Sequence, residues 1–103
     1  MYGDAVHAAM RIVGFRHKDL ERLWLRDEAR GAARQHEANL RAMLTAIEET
    51  ASIAELATVP GWRLHPLKGN RKGCWSLTVT RNHRLTFRAE GSIVSEIDLE
   101  DYH

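Results

Sequence analysis

The hydrophobic period of this chain changes at Pro60-Gly61, and that change limits the folds open to it. Before the break, apolar residues recur every three or four positions. Leu20, Leu23 and Trp24 form one such face; Leu40, Met43, Leu44 and Ile47, extended backwards by Ala33 and His36, form a longer one. That spacing is one side of an amphipathic helix. After the break the period is two. Trp75, Leu77 and Val79 interleave with Cys74, Ser76 and Thr78; Leu85, Phe87 and Ala89 interleave with Arg84, Thr86 and Arg88. Such alternation is a strand with one buried face. With 103 residues the chain has room for one domain and one core. The helices must therefore cover the greasy side of the sheet.

The elements follow in order. Met10–Phe15 is short, apolar and β-branched and reads as a first strand. His17–Arg26 is a helix broken by Gly31, and Ala32–Glu49 is one long helix. Ser52 with Glu55 three residues on is a capping-box pattern for a further turn, Ile53–Ala57. Strands are expected at Trp62–Leu67, Cys74–Thr80, His83–Ala89 and Ser92–Leu99, with Pro66 confining the first of these to an edge. Arg81-Asn82 and Glu90-Gly91 are the turns, and Gly69–Gly73 is a glycine-bounded loop. The fold class is α+β, a β-α-α-β-β-β-β sandwich with two helices on one face of a mostly antiparallel sheet. Residues 1–9 have no clear period ahead of a second methionine, Met10. They read as an extension to a domain over residues 10–103, with a short helix over Ala5–Met10 as the alternative.

Charge is distributed unevenly. From Gly61 through Arg88 there are seven basic residues (Arg63, Lys68, Arg71, Lys72, Arg81, Arg84 and Arg88) and no Asp or Glu. The formal net charge is only +1, because acids such as Glu96, Asp98, Glu100 and Asp101 gather elsewhere. On the second strand Arg63 and His65 share a side. The polar sheet face is thus hydroxyl-rich and basic, without a carboxylate until the final strand. A one-signed strand surface suits a polyanion. The single cysteine, Cys74, cannot form an internal disulfide and fits a reducing, cytoplasmic setting. No apolar run approaches the ~20 residues of a membrane span, and the N-terminus has no apolar core of a secretory signal.

Metal-free RNA cleavage requires a base for the 2′-hydroxyl, an acid for the leaving 5′-oxygen and cations for the phosphorane. Histidine suits the proton roles because its unperturbed pKa lies near neutrality. Arg and Lys suit the third. His65, His103, Arg84 and Lys68 supply that set. Asp101 and His103, two residues apart, share a side of an extended chain, so Asp101 is placed to orient His103. The same pair could ligate a metal, although it lacks any standard ligand spacing. Tyr102 reads either as a core anchor or as a base-stacking platform. Arg63, Arg71, Lys72, Arg81 and Arg88 read as phosphate contacts. His36 reads as a structural histidine, Cys74 as a small strand residue, and Ser76 lacks the partners of a nucleophile. Against these stand plainer readings: an idle strand histidine at His65, a frayed terminus at His103, and a basic sheet that binds RNA or a protein without cutting.

Five blocks carry a family likeness: Phe15–Arg22, Trp62–Gly69, Gly73–Val79, Asn82–Arg88 and Glu100-Asp101-Tyr102-His103. In this order they resemble the HigB toxins of the RelE superfamily, also described as plasmid-maintenance killer proteins. The resemblance covers nearly all of residues 10–103. It implies a RelE-like sandwich and a bacterial type II toxin that cuts mRNA in the ribosomal A site without a cofactor. By this likeness the family's catalytic positions fall on His65, Lys68, Arg84, Asp101, Tyr102 and His103. The implied partners are the 30S A site with its mRNA and a HigA-type helix-turn-helix antitoxin, through which alone operator DNA is reached. One departure is His83, where relatives commonly have tryptophan.

Overall fold

The computed structural model describes residues 9–101. The expectations for residues 1–8, and for Tyr102 and His103, lie outside the described residues. Five strands form one sheet in the order β1-β5-β4-β3-β2: β1 (Arg11–Ile12), β2 (His65–Pro66), β3 (Cys74–Thr78), β4 (His83–Glu90) and β5 (Ile93–Asp101). Only β1 runs parallel to its neighbour, β5; the other pairings are antiparallel. Helices α1 (Lys18–Arg26), α2 (Gly31–Gln35) and α3 (Glu37–Glu49) pack on one face. None of the described helices is long and apolar enough to cross a membrane.

The core forms where the two periodicities meet. Leu20, Leu23, Leu40, Met43, Leu44 and Ile47 from the helices are buried against Leu77, Leu85, Phe87, Val94, Ile97 and Leu99 from the sheet. Burying each such side chain contributes about 1.5–3 kcal/mol. Helix α1 begins at an N-cap, His17, whose Nδ1 accepts the Asp19 N–H at 3.1 Å. The loop before it is fastened to β5: the Arg16 and His17 N–H groups both donate to the Ile97 carbonyl, at 2.7 and 3.2 Å.

Several boundaries differ from those expected. Helix α1 ends at Arg26 as expected, but Asp27 and not Gly31 stops it, taking a left-handed conformation (φ 57°) and supplying the C-cap. Gly31 instead opens α2, at φ 51°, where a Cβ would lie 2.3 Å from the Asp19 carboxylate. The long helix divides at His36, whose φ of −125° and ψ of 27° leave the helical region between α2 and α3. Among the described residues there are thus three α-helices rather than two. The turn over Ile53–Thr58 is 3₁₀, and Ser52 does not cap it. Glu55 reaches back to the Thr50 hydroxyl (2.9 Å) and the Ala51 N–H (3.4 Å) instead. The strand expected over Trp62–Leu67 contracts to His65–Pro66, because Arg63 sits at φ 49° and interrupts the extended backbone. β3 stops at Thr78 rather than Thr80, and β5 runs on to Asp101.

Candidate active site on the open sheet face

Directly paired residues share a sheet face, so register places the polar side chains. Three rows result. Cys74 pairs with Arg88, and Arg88 with Ser95; Ser76 pairs with His65 and Thr86, and Thr86 with Asp98; Thr78 pairs with Arg84, and Arg84 with Glu100. These rows lie opposite Leu77, Leu85 and Leu99, on the face away from the helical core.

Glu100 organises this face. Its carboxylate accepts from Arg71 Nη1 at 3.2 Å and from Arg71 Nη2 at close range. It also accepts from Arg84 Nε (3.3 Å) and Nη2 (3.1 Å), and from the Thr86 hydroxyl at 2.8 Å. These bonds hold its pKa at about 2. The Arg71 bonds act most strongly; burial pushes upward against them, and Thr86 and Arg84 add to the lowering. In return Glu100 holds the Arg71 guanidinium still more firmly protonated. Two guanidinium groups that would repel each other are thereby set side by side, Arg71 with N–H donors to spare.

The predicted residues sort by what holds them. Arg71, Arg84 and Arg88 are half-buried and ion-paired, Arg88 donating to Glu96 Oε2 at 3.2 Å. Arg63, His65, Lys68, Lys72 and Arg81 are exposed. His65 stands on the edge strand beside Ser76, two strand spacings (about 10 Å) from the β4 backbone that carries Thr86. Lys68 follows in the loop that β2 opens, where its carbonyl accepts the Arg71 N–H at 3.2 Å. Arg63 and Arg81 come together in a groove beyond the end of β3, with Gly61, Thr78 and Thr80. Arg71 and Arg88 line a second concavity near Cys74.

Asp101 is placed otherwise. It pairs in register with His83, and alternation sets both on the side of Leu85 and Leu99. Its Oδ2 lies 3.9 Å from His83 Nε2, while His83 Nδ1 lies 3.0 Å from the Thr80 hydroxyl. The His83 ring is 4.9 Å from that of His36, tilted by 46°. So the structure gathers Arg71, Arg84 and Glu100 on one face, flanks them with His65, and directs Asp101 to the other. The acid of the basic face comes from the final strand, as expected, but Glu100, to which sequence reasoning assigned no role of its own, lies at its centre. Thr86 was also missed as a partner, as was Arg16, which lines the Cys74 concavity.

The arrangement can seat an anion against fixed guanidinium donors, with an imidazole and an ammonium group at the accessible edge. Comparisons with known proteins bear on the family and the fold. The chain is 37% identical over 92 residues to "Endoribonuclease HigB" of Proteus vulgaris, covering 89% of this chain and 99% of that protein. Among solved structures it is similar to the YoeB/ParE toxin from Agrobacterium tumefaciens, with a TM-score of 0.58, 21% identity and coverage of 91% of this chain and 100% of the other. It is also similar to a chain of the E. coli DinJ–YafQ toxin–antitoxin complex, with a TM-score of 0.58, 15% identity and coverage of 90% and 92%. At those identities the structures speak for the fold alone. The profile described as "RelE-like toxin of type II toxin-antitoxin system HigB" matches residues 13–103. With its sheet order, its open polar face and this match over most of its length, the chain belongs to the HigB-like family of RelE-like toxins.

Proposed function

We propose that this chain is an endoribonuclease that cuts mRNA in the ribosomal A site and so arrests translation in the cytoplasm. One observation carries the proposal: the sheet face not covered by helices presents Arg71 and Arg84, held by one carboxylate, and the edge strand of the same sheet carries His65 in register with Ser76. A phosphodiester lying along β3 meets Arg84 and Lys68 as charge-stabilising donors. His65 exchanges a proton with the 2′-hydroxyl or with the leaving 5′-oxygen. In this reading His103 is the second proton-transfer group and Tyr102 stands beside it, while Asp101, which register puts on the opposite side with His83, acts on His103 at most through the backbone they share. Arg63, Arg71, Lys72, Arg81 and Arg88 track the backbone to either side. The 2′-oxygen attacks phosphorus, the P–O5′ bond breaks, and the products are a 2′,3′-cyclic phosphate and a 5′-hydroxyl.

The relative named an endoribonuclease supports the activity. The neighbour solved as a toxin–antitoxin complex supports an antitoxin partner. We assign that partner to the HigA type, with a helix-turn-helix that alone contacts operator DNA. The test is the chemistry of message ends in a reconstituted translation reaction. New 2′,3′-cyclic phosphate ends within ribosome-bound codons are expected. Intact message on stalled ribosomes would replace cleavage with simple blockade, and cuts on naked RNA would remove the ribosome from the mechanism.

A further inference from the structure

At the Cys74 end of the polar face a concavity of about 280 Å³ is lined by Arg16, Asn70, Arg71, Thr86, Arg88 and Glu96, with Cys74 among its walls. It is built rather than incidental. Gly73 adopts φ 96°, and a Cβ there would come within 3.0 Å of Arg88 Nη1, so glycine makes room for that guanidinium. Arg88 is fixed by Glu96 at 3.2 Å and by the Lys72 carbonyl at 3.5 Å. Glu96 itself occupies a β-bulge at φ 53°. Arg16 arrives from the opposite side, its backbone tied to Ile97. Among the described residues no carboxylate pairs with it.

Three guanidinium groups thus line the concavity against one carboxylate, Glu96, while Glu100 behind Arg71 is shared with Arg84. The lining keeps a net positive charge, which suits a phosphodiester. Arg71 and Arg88 each retain unused N–H donors, and Arg16 retains its side-chain N–H groups. Along the strands the Cys74–Arg88 row lies four residues from the Thr78–Arg84 row, about 13 Å at the usual rise per residue. That exceeds one nucleotide step, so an anion seated on Arg16 and Arg88 at the Cys74 end is distinct from a phosphate on Arg84, with Arg71, which shares Glu100 with Arg84, bordering both.

We propose that the concavity between Arg16, Arg71 and Arg88 is a second phosphate-binding subsite, which grips the RNA backbone at a distance from the bond that is cut. The proposal rests on the endoribonuclease reading for its substrate class, and it adds Arg16 as a binding residue. The probe is a fluorescent single-stranded RNA with 2′-O-methyl groups throughout, which binds without being cleaved. Anisotropy titrations over a salt series compare the wild-type chain with Arg16→Ala and with Arg34→Ala, an exposed arginine on α2. Losing one phosphate contact on a single strand lowers the slope of log K against log salt by about 0.7, which is about fivefold in affinity at 0.1 M salt relative to 1 M. Arg16→Ala is expected to show that loss and Arg34→Ala none. Equal slopes for wild type and Arg16→Ala overturn the subsite, as does an equal loss in Arg34→Ala or an absence of saturable binding by the wild type. Displacement of the RNA by submillimolar inorganic phosphate overturns it in favour of a free-anion site. Cleavage of ribosome-bound message decides the nuclease reading separately, because the uncleavable strand requires no chemistry.

Discussion

Replacing Glu100 with glutamine removes the charge that ties Arg71, Arg84 and Thr86 together while keeping the side chain's size. The cost can be worked from the carboxylate's pKa. Held at about 2 in the fold against 4.5 ordinarily, it corresponds to roughly 3 kcal/mol of differential interaction. The Glu100 side chain is 21% exposed and that of Arg71 38%, so water screens the pair and about 1–2 kcal/mol is the expected loss at pH 7. For a domain of this length that lowers the melting temperature by about 5–15 °C. The pH dependence has a fixed sign. A carboxylate whose pKa is depressed by folding stabilises the fold above about pH 4.5, and that contribution drains away as pH falls towards 2. Urea unfolding at a series of pH values between 7 and 2.5 should therefore show a gap between wild type and Glu100→Gln that is constant down to about pH 5 and then closes. A gap that stays constant to pH 2.5, or no gap at pH 7, refutes the central place given to Glu100.

Two further substitutions probe the scaffold. Leu77→Ala, at a fully buried position between sheet and helices, should cost about 2–5 kcal/mol and show as a lower urea midpoint with the same slope. Gly31→Ala forces a left-handed backbone on alanine, at about 1–2 kcal/mol, and drives a Cβ against Asp19 Oδ2, which now accepts the Ala32 N–H. It should be less stable than wild type, whereas Gly14→Ala, whose Cβ meets nothing within 4 Å, should stay close to it.

The sheet was most readable where one strand face is wholly buried. In β3 and β4 strict alternation named the correct inward residues, because a one-residue slip would turn Leu77, Leu85 and Phe87 out to water. It failed where the backbone departs from regularity without a Gly or Pro to announce it. His36 interrupts the helical run and Arg63 turns left-handed with ordinary side chains at both places. β5 is the instructive case. Counting in twos from buried Val94 predicts that residues 96, 98 and 100 point inward. The bulge at Glu96 slips the count by one, so Ile97 and Leu99 are buried and Asp98 and Glu100 emerge on the polar face. The alternation Glu96-Ile97-Asp98-Leu99-Glu100 is out of phase with Val94 and so carries the slip. A count that runs on from Val94 misses that change of phase, and Glu100 with it. His65, Lys68 and Arg84 were legible as candidates because the basic run contains them. Arg16 was not, since only its tie to Ile97, far along the chain, brings it to the same face.

The most direct test of the account is the single-turnover rate of message cleavage on programmed ribosomes by wild type and by His65→Ala. His65 is exposed on an edge strand, so its removal should leave the unfolding midpoint in place. If His65 moves a proton at the reacting phosphate, the rate falls about 10²–10⁴-fold. A folded His65→Ala chain that cuts at the wild-type rate would contradict the assignment of chemistry to this face.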